Sequence, residues 1–213
     1  YTTDALPIYE VKTIAPLPAA ESRKNITANV NFSGEMNAMV DATYSYSGYP
    51  AAHLREELAV LPKDKTKDWV KKLLPLSDKQ EDINKYNIAN EGFEHLYNNK
   101  PLEISASLNT PQLVEHAGSK YLFKLGDVIG DQGELYSRNE RTLPVDLSYP
   151  YSQSRTITIN IPKGYKVLNP QDIRINADYV DKNVSPVIGF KSDYVLKTDK
   201  VNGDARIITV SEF

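Results

Sequence analysis

The amino-acid sequence predicts a mostly β protein, with antiparallel strands in a sandwich-like arrangement and a two-helix insertion after the first hairpin. Residues 156–161 alternate strictly between threonine or asparagine and isoleucine, which is typical of a strand with one apolar and one wet face. Similar strand-length segments recur about every eight to twelve residues, as in β-sandwiches. Helical spacing of leucines is confined to residues 50–74, so the class is α+β overall.

The sequence divides into three parts. Residues 1–24 contain three prolines and no clean apolar face, which indicates an extended lead-in or linker. Residues 25–100 predict a β-hairpin plus helices, and residues 101–213 predict an antiparallel β-sandwich region that packs with 25–100 as one unit. The chain begins at Tyr1 without a methionine or signal peptide, and we interpret it as a fragment of a larger protein.

The first hairpin has the clearest alternation in the chain. One strand places Ile26, Ala28, Val30 and Phe32 on one side. Residues 33–35 form the turn, because Gly34 can take a positive φ. The return strand places six residues on one face: Met36, Ala38, Val40, Ala42, Tyr44 and Tyr46.

Two helices follow this hairpin. The first begins near Pro50, which is favoured in a first helical turn, and Pro62 ends it. Its apolar positions are Leu54, Leu58 and Leu61. The second is capped by Asp64 or Thr66 and ends at Pro75. Its apolar stripe comprises Trp69, Val70, Leu73 and Leu74.

The rest of the chain alternates strands with polar connections. A short turn of helix is expected within 77–84 and a long loop over 127–139, which is rich in glycine and aspartate. Residues 202–204 predict a hairpin turn. The predicted strands are 86–89, 102–108, 121–125, 145–149, 156–161, 165–168, 173–175, 187–190, 194–196 and 207–210.

Composition excludes several function classes. Lys and Arg number 25 against 28 Asp and Glu, with the signs interspersed, so the chain lacks the basic stripe of a nucleic-acid-binding protein. Apolar runs are too short to predict a membrane span. The chain has no cysteine, which removes disulfides, thiolate nucleophiles and cysteine metal ligands.

Polar motifs do not assemble into a catalytic or metal site. His53 and Glu57 share a helix face at i, i+4, but His95 and His116, the other two histidines, have no matching spacing. The glycine-rich stretch 126–133 lacks the Gly-Lys-Ser/Thr ending of a phosphate-binding loop. We therefore expect no catalytic residue, no metal and no cofactor, and we expect that the chain itself is not an enzyme.

The tyrosines are the best candidates for an interaction surface. Tyr149 and Tyr151 flank Pro150, Tyr49 follows the first hairpin, and Trp69 lies on the second helix. Exposed aromatic side chains of this kind stack against sugars or anchor a protein partner. The alternative is that the nearby Tyr44 and Tyr46 cover the edge of the core with their hydroxyls in water.

A family resemblance adds to this interpretation. Its motifs are Arg141, Pro144, Tyr149-Pro150, the strand 157–162 that ends in proline, and the following Gly-Tyr-Lys-Val at 164–167. They resemble the C-terminal β-rich region, a domain of unknown function, of large exported bacterial transglutaminase-like or protease-like proteins. The first hairpin, with Gly48-Tyr49 and the helix that carries Arg55, is also similar, so the resemblance covers most of residues 25–213.

The resemblance implies an extracytoplasmic location, periplasmic or at the cell surface, beside a Cys-His-Asp catalytic core. None of that triad can be assigned to this chain, because the triad's nucleophile is a cysteine and the chain has no cysteine. The expected function is therefore a non-catalytic accessory or interaction domain whose partner is an upstream catalytic-type domain of the same polypeptide. The alternative is a carbohydrate- or peptide-binding β-sandwich module, with a glycan or peptide as partner.

Overall fold

A computed structural model describes residues 12–34, 36–74, 83–129, 148–179, 188–198 and 205–213. Ten strands, four α-helices and three short 3₁₀ helices lie within these ranges. The strands are β1 (Arg23–Ser33), β2 (Asn37–Ser47), β3 (Ile83–Ala89), β4 (Leu102–Asn109), β5 (Val114–Ala117), β6 (Lys120–Phe123), β7 (Ser152–Asn160), β8 (Ile175–Tyr179), β9 (Ile188–Thr198) and β10 (Ala205–Glu212). The helices are α1 (Tyr49–Val60), α2 (Thr66–Leu73), α3 (Glu94–Tyr97) and α4 (Leu125–Ile129).

Eight of the strands form one mixed sheet in the order β3-β4-β2-β1-β7-β10-β9-β8, and β5 pairs with β6 in a separate hairpin. All neighbours in the large sheet are antiparallel except β1 and β7, which run parallel from the pair Arg23 and Ser152 onward. The predicted mostly β fold with helices after the first hairpin is confirmed. The parallel pair joins β1, from the first half of the chain, to β7, from the second half. The eight main strands therefore lie side by side in one sheet.

The core lies on one face of this sheet. Ile26, Val30 and Val40 are buried on β1 and β2, and Ile157 is buried on β7 beside them. On β4, alternate residues from Leu102 to Leu108 are buried, as the alternation predicts. The apolar faces predicted for the first hairpin and for β4 are thus confirmed, except that Met36 lies in the turn before β2 and not on the strand.

Helices and the small hairpin cover this apolar face. From α1, Ala51 and Leu54 enter the core, and α2 and its C-terminus contribute Val70 and Leu74. The segment that leads into β5 adds the fully buried Leu113. The two helices predicted between the first hairpin and Pro75 are confirmed, although α2 begins without a side-chain cap from Asp64 or Thr66.

Several local predictions differ from the structure. Residues 165–168, predicted as a strand, have no regular structure, and 125–129 form a helix rather than the end of a strand and the start of a loop. The short elements α3 and β5 were not predicted. The strands predicted at 187–190 and 194–196 belong, from residue 188 onward, to the single strand β9.

Some predicted elements lie outside the described residues. They are residues 145–147 of the strand predicted at 145–149, the turn at 202–204 and most of the loop 127–139. The helical turn predicted at 77–84 also lies outside, apart from its last two residues, 83 and 84, which belong to β3.

Candidate functional site

Tyr49, Tyr149 and Tyr151 form one cluster, hereafter the tyrosine cluster. The ring centroids of Tyr49 and Tyr149 are 4.8 Å apart with the planes tilted by 39°, and those of Tyr149 and Tyr151 are 6.2 Å apart in an edge-to-face arrangement. Tyr151 is 45% exposed, and the other two rings are half-buried. The structure therefore brings together three of the four residues that the sequence singled out.

Gly48 places the first of these rings. The residue caps α1 at φ 63°, a conformation that favours glycine, and turns the chain from β2 directly into Tyr49. A Cβ at this position would lie 2.7 Å from both the carbonyl oxygen of Glu21 and the hydroxyl of Ser22. Any larger residue would push the start of α1 away from the segment before β1, so Gly48 fixes the position of Tyr49.

The other two rings are held by the segment that precedes β1. The amide of Ser152 donates to the carbonyl of Ser22 at 3.0 Å, and its hydroxyl donates to the carbonyl of Ala19 at 3.0 Å. The amide of Leu17 donates to the hydroxyl of Tyr49 at 3.2 Å. Residues 17–22, the start of α1 and the start of β7 thus meet at one end of the sheet, with the tyrosine cluster at the junction.

Trp69 lies elsewhere. Its side chain is only 9% exposed, it belongs to the hydrophobic core, and its indole N–H donates to the carboxylate of Glu57 at 2.8 Å. This bond joins α2 to α1, so Trp69 packs the helices together, and its ring offers little surface to a partner.

A buried polar group lies on the core face at the start of β7. The guanidinium of Arg155 donates to Gln153 at 2.6 Å and lies 3.5 Å from the carboxylate of Glu212 on β10. Burial and the positive charge of Arg155 lower the pKa of Lys24, which lies on the same face of β1. Arg155 lies outside the strands predicted from the sequence, and its burial has no signal in the sequence because charged residues are usually exposed.

Tyr44 and Tyr46 are buried rather than wetted by solvent. Tyr44 is 0% exposed, and its hydroxyl has no hydrogen-bond partner among the described residues. Burial raises the pKa of Tyr46 to about 12 and raises the pKa of Tyr44 further above its usual value. The expectation that the hydroxyl lies in water is wrong for Tyr44, and neither ring contributes to the exposed tyrosine cluster.

Arg55 is a second buried charge that the sequence did not single out as structural. From α1 its guanidinium donates two bonds, of 3.1 and 2.9 Å, to the carbonyl of Asn90 and one of 2.9 Å to that of Lys100. Asn90 has a positive φ of 59°, and its amide donates to the carbonyl of Pro101. Arg55 therefore ties α1 to both ends of the segment between β3 and β4.

The polar residues considered for catalysis do not converge. His53 and Glu57 form an exposed i, i+4 pair at 3.2 Å on α1. Among the described residues, no three histidine or acidic side chains are placed to hold a metal ion. The helices within the same ranges include none that is long and apolar enough to cross a membrane.

Comparison with known families gives one match. Residues 127–186 match a domain of unknown function with a solved structure, DUF3858. The match covers less than a third of the chain and includes β7, β8 and two residues of the tyrosine cluster, Tyr149 and Tyr151. Neither a curated protein nor a solved structure matches the chain.

Proposed function

We propose that this chain is a non-catalytic docking domain of a larger exported transglutaminase-like protein, and that the tyrosine cluster binds the upstream catalytic-type domain of the same polypeptide. The single observation that carries the proposal is the contact of both Tyr49 and Tyr151 with the ring of Tyr149 at the surface. Tyrosine is enriched among residues that dominate binding energy at protein interfaces. Rings that already pack against one another lose little conformational entropy when a partner covers them.

The position of the cluster supports this choice of partner. It contacts residues 17–22, through which the chain leads into β1. A domain joined to the N-terminal side of that segment would be tethered beside the cluster, which raises its effective concentration there to the millimolar range for a short linker. Weak contacts made by a few tyrosines are sufficient under that condition.

The competing function is the binding of a carbohydrate or peptide by the same tyrosines. Aromatic rings stack on sugar rings as well as on protein side chains, so ring geometry alone supports both. Two of the three rings are half-buried against each other, however, and only Tyr151 offers a large free surface. This arrangement favours insertion at a protein interface over a wide platform for a sugar.

The test is to measure the dissociation constant between this chain and the separately produced upstream domain by titration calorimetry. Changing Tyr149→Ser and Tyr151→Ser together should weaken binding by about thirtyfold or more, as expected for loss of a hot spot of about 2 kcal/mol. The matched control is Tyr97→Ser at the C-terminal end of α3, where the tyrosine is 93% exposed. It should leave the constant unchanged.

Two results would overturn the proposal. One is that the double variant binds the upstream domain as tightly as the wild type does. The other is that a glycan or peptide binds in a way that depends on Tyr149 and Tyr151, while the upstream domain does not bind at all. The non-catalytic part has its own test, since the isolated chain should show no amine incorporation and no peptide hydrolysis above buffer. Turnover that survives repurification would contradict it.

The exported location can be tested separately. Fractionation of cells that make the full-length protein should place it in the periplasm or at the cell surface, which agrees with the absence of cysteine but does not follow from it. Recovery in the cytoplasmic fraction alone would contradict this part of the proposal without affecting the docking role of the tyrosines.

A further inference from the structure

Within the described part of the chain, the large sheet has two edge strands, β3 and β8. Edge strands commonly carry a lysine, a proline or a bulge that keeps another strand from adding to the sheet. On β3 the register shifts between Ile83 and Lys85, so this edge has both a bulge and a lysine. Strand β8, of sequence Ile-Asn-Ala-Asp-Tyr, has neither lysine nor proline, and its register with β9 is unbroken.

Hydrogen bonds of β9 show which of its backbone groups face β8. The amide of Lys191 donates to the carbonyl of Phe213 at 3.0 Å, and the amide of Phe213 donates to the carbonyl of Lys191 at 2.9 Å. Lys191 therefore directs its backbone groups to the β10 side of the strand. Because these groups alternate sides along an extended strand, Phe190 and Ser192 direct theirs toward β8.

The same alternation decides which residues of β8 face outward. Ile175 and Ala177 lie opposite Ser192 and Phe190, so their backbone groups bond to β9. The N–H and C=O groups of Asn176 therefore point away from the sheet, and so do those of residue 178. No strand of the described ranges pairs with this outer side of β8, so these groups are available to a further strand.

The one charged side chain of β8, Asp178, does not block its outer side. Asp178 is opposite Gly189 of β9, and a Cβ on Gly189 would lie 2.8 Å from the Oδ1 atom of Asp178. The carboxylate therefore leans back over β9, into space that a residue larger than glycine would fill. Glycine inside a strand is expected where another group approaches closely.

We propose that β8 pairs in antiparallel fashion with β8 of a second copy of this chain, about a two-fold axis at Ala177. In this register Asn176 of each copy lies opposite Asp178 of the other, so the residues with outward backbone groups meet and exchange hydrogen bonds. Ala177 lies opposite its own counterpart in a pair without hydrogen bonds, where strands approach most closely and a small side chain fits. A contact of this self-complementary kind closes after two copies.

Other registers of the two β8 strands are unfavourable. A slide by one residue would set outward backbone groups against groups already bonded to β9. A slide by two residues in one direction would bring the two Asp178 carboxylates opposite each other. The same slide in the other direction would need the amide of Arg174, which already donates to the carbonyl of Gln171 at 3.1 Å. Since the strand is complementary to itself in one register, a second copy is the partner that this edge fits.

Single cysteine variants test the register directly, because the chain has no cysteine of its own. Ala177→Cys should form a disulfide-linked dimer under mild oxidation, since the pair at the two-fold axis places its Cα atoms about 4.5 Å apart. Ile175→Cys, on the same face of β8 and 50% exposed, is the matched control. Its two copies would lie about 13 Å apart along the strands, which is too far for a disulfide.

Sedimentation equilibrium measures the same association without a cross-link. The wild-type chain should dimerise with a Kd of about 0.1 mM, as expected for a small interface. Asn176→Pro should weaken the dimer by about tenfold or more, because proline removes an outward N–H from each copy and leaves the bonds to β9 in place. Asn176→Ala keeps this N–H, so it is the matched control and should leave the Kd unchanged.

A second variant covers the case in which Asn176→Pro does not fold, which thermal melting would show. Ala177→Lys, at an exposed position, sets two ammonium groups opposite each other at the two-fold axis and should also weaken the dimer. Asn87→Lys adds the same charge to β3, the other edge, and should not change the Kd. Tyr149→Ser should likewise leave the dimer intact, which separates this contact from the tyrosine cluster.

Three results would overturn the proposal. The first is a wild-type chain that is monomeric at every concentration measured. The second is a dimer whose Kd is unchanged in Ala177→Lys and in folded Asn176→Pro. The third is equal cross-linking of Ala177→Cys and Ile175→Cys, because copies that meet in the proposed register can form only the first of these disulfides.

Discussion

At the scale of single residues, Arg55 acts as a structural cross-link. Its guanidinium is 1% exposed and serves two backbone carbonyls from distant parts of the chain. Removing the charged donor leaves both partly buried carbonyls without this partner, and the loss of such bonds costs about 1–3 kcal/mol. The residue therefore stabilises the fold, although its charge alone would predict a place in solvent.

We expect Arg55→Leu to lower the free energy of unfolding by about 2–4 kcal/mol in urea denaturation. Arg55→Lys should restore only part of this loss, because an ammonium cannot reproduce the planar fork of donors. The control is Glu56→Ala at the next position, which is exposed and should stay within about 0.5 kcal/mol of the wild type. Equal stability of the two Arg55 variants and the control would contradict the cross-link.

Tyr46 gives a prediction about pH. Burial raises its pKa to about 12 in the folded state, whereas an unfolded tyrosine titrates near about 10. Above pH ~10 the unfolded state therefore releases a proton that the folded state keeps, so the stability associated with Tyr46 is full below pH ~10 and falls as pH rises toward ~12. Phenolate absorbance that develops late should be smaller by one tyrosine in Tyr46→Phe, with Tyr44 remaining as a later-titrating group, and the variant should lose less stability over that interval. A late group of equal size in both proteins, together with equal losses of stability, would contradict this assignment.

At the scale of elements, β7 is the strand that unites the two halves of the chain. It pairs with β1 in parallel and with β10 antiparallel, and its Ile157 is fully buried. The next residue, Thr158, lies on the face of the sheet opposite the core, and its hydroxyl oxygen is 3.4 Å from that of Thr209. The two neighbours therefore report on opposite faces of one strand.

Ile157→Ala should cost about 2–5 kcal/mol, the usual range for truncating a buried isoleucine, whereas Thr158→Ala should cost under about 1 kcal/mol. Denaturant melts of the two variants measure the difference directly. Similar losses in both would mean that the faces of β7 are assigned incorrectly.

Period-2 alternation was sufficient to predict which faces of β1, β2, β4 and β7 are apolar, because burial on one side only leaves a direct trace in the sequence. It could not predict that β1 pairs with β7. Such a parallel contact joins segments far apart in the chain and depends on tertiary packing rather than local pattern. Residues 165–168 failed for the same reason: their local pattern suited a strand, but the structure does not place them in the sheet.

The candidate site was predictable in its members but not in its geometry. Tyr49, Tyr149 and Tyr151 were singled out because tyrosines beside proline and glycine suggested exposed rings. Their proximity follows from the β1–β7 pair and from Gly48, neither of which local spacing reveals. Trp69 was grouped with them on its residue type, and the bond to Glu57 that turns it inward depends on how α1 and α2 pack.

At the scale of the whole molecule, one sheet separates two surfaces of different character. The face covered by α1, α2 and the β5–β6 hairpin holds the core, and the opposite face, hereafter the open face, carries short polar side chains. The tyrosine cluster lies at the end of the sheet where β1 and β7 begin. At the opposite end, Phe32 packs edge-to-face on Phe123, and His116 stacks on Tyr121. Docking at the first end would leave both the open face and this second end accessible.

Amide hydrogen exchange, compared between the isolated chain and the full-length protein, tests the docking role most directly. We expect slower exchange in the full-length protein at residues 17–22, at the start of α1 and at residues 148–152, because a docked domain would exclude water from the tyrosine cluster. Exchange in β5 and β6, at the far end of the sheet, should be unchanged and serves as the internal control. Protection confined to β5 and β6, or no difference at the tyrosine cluster, would contradict the account.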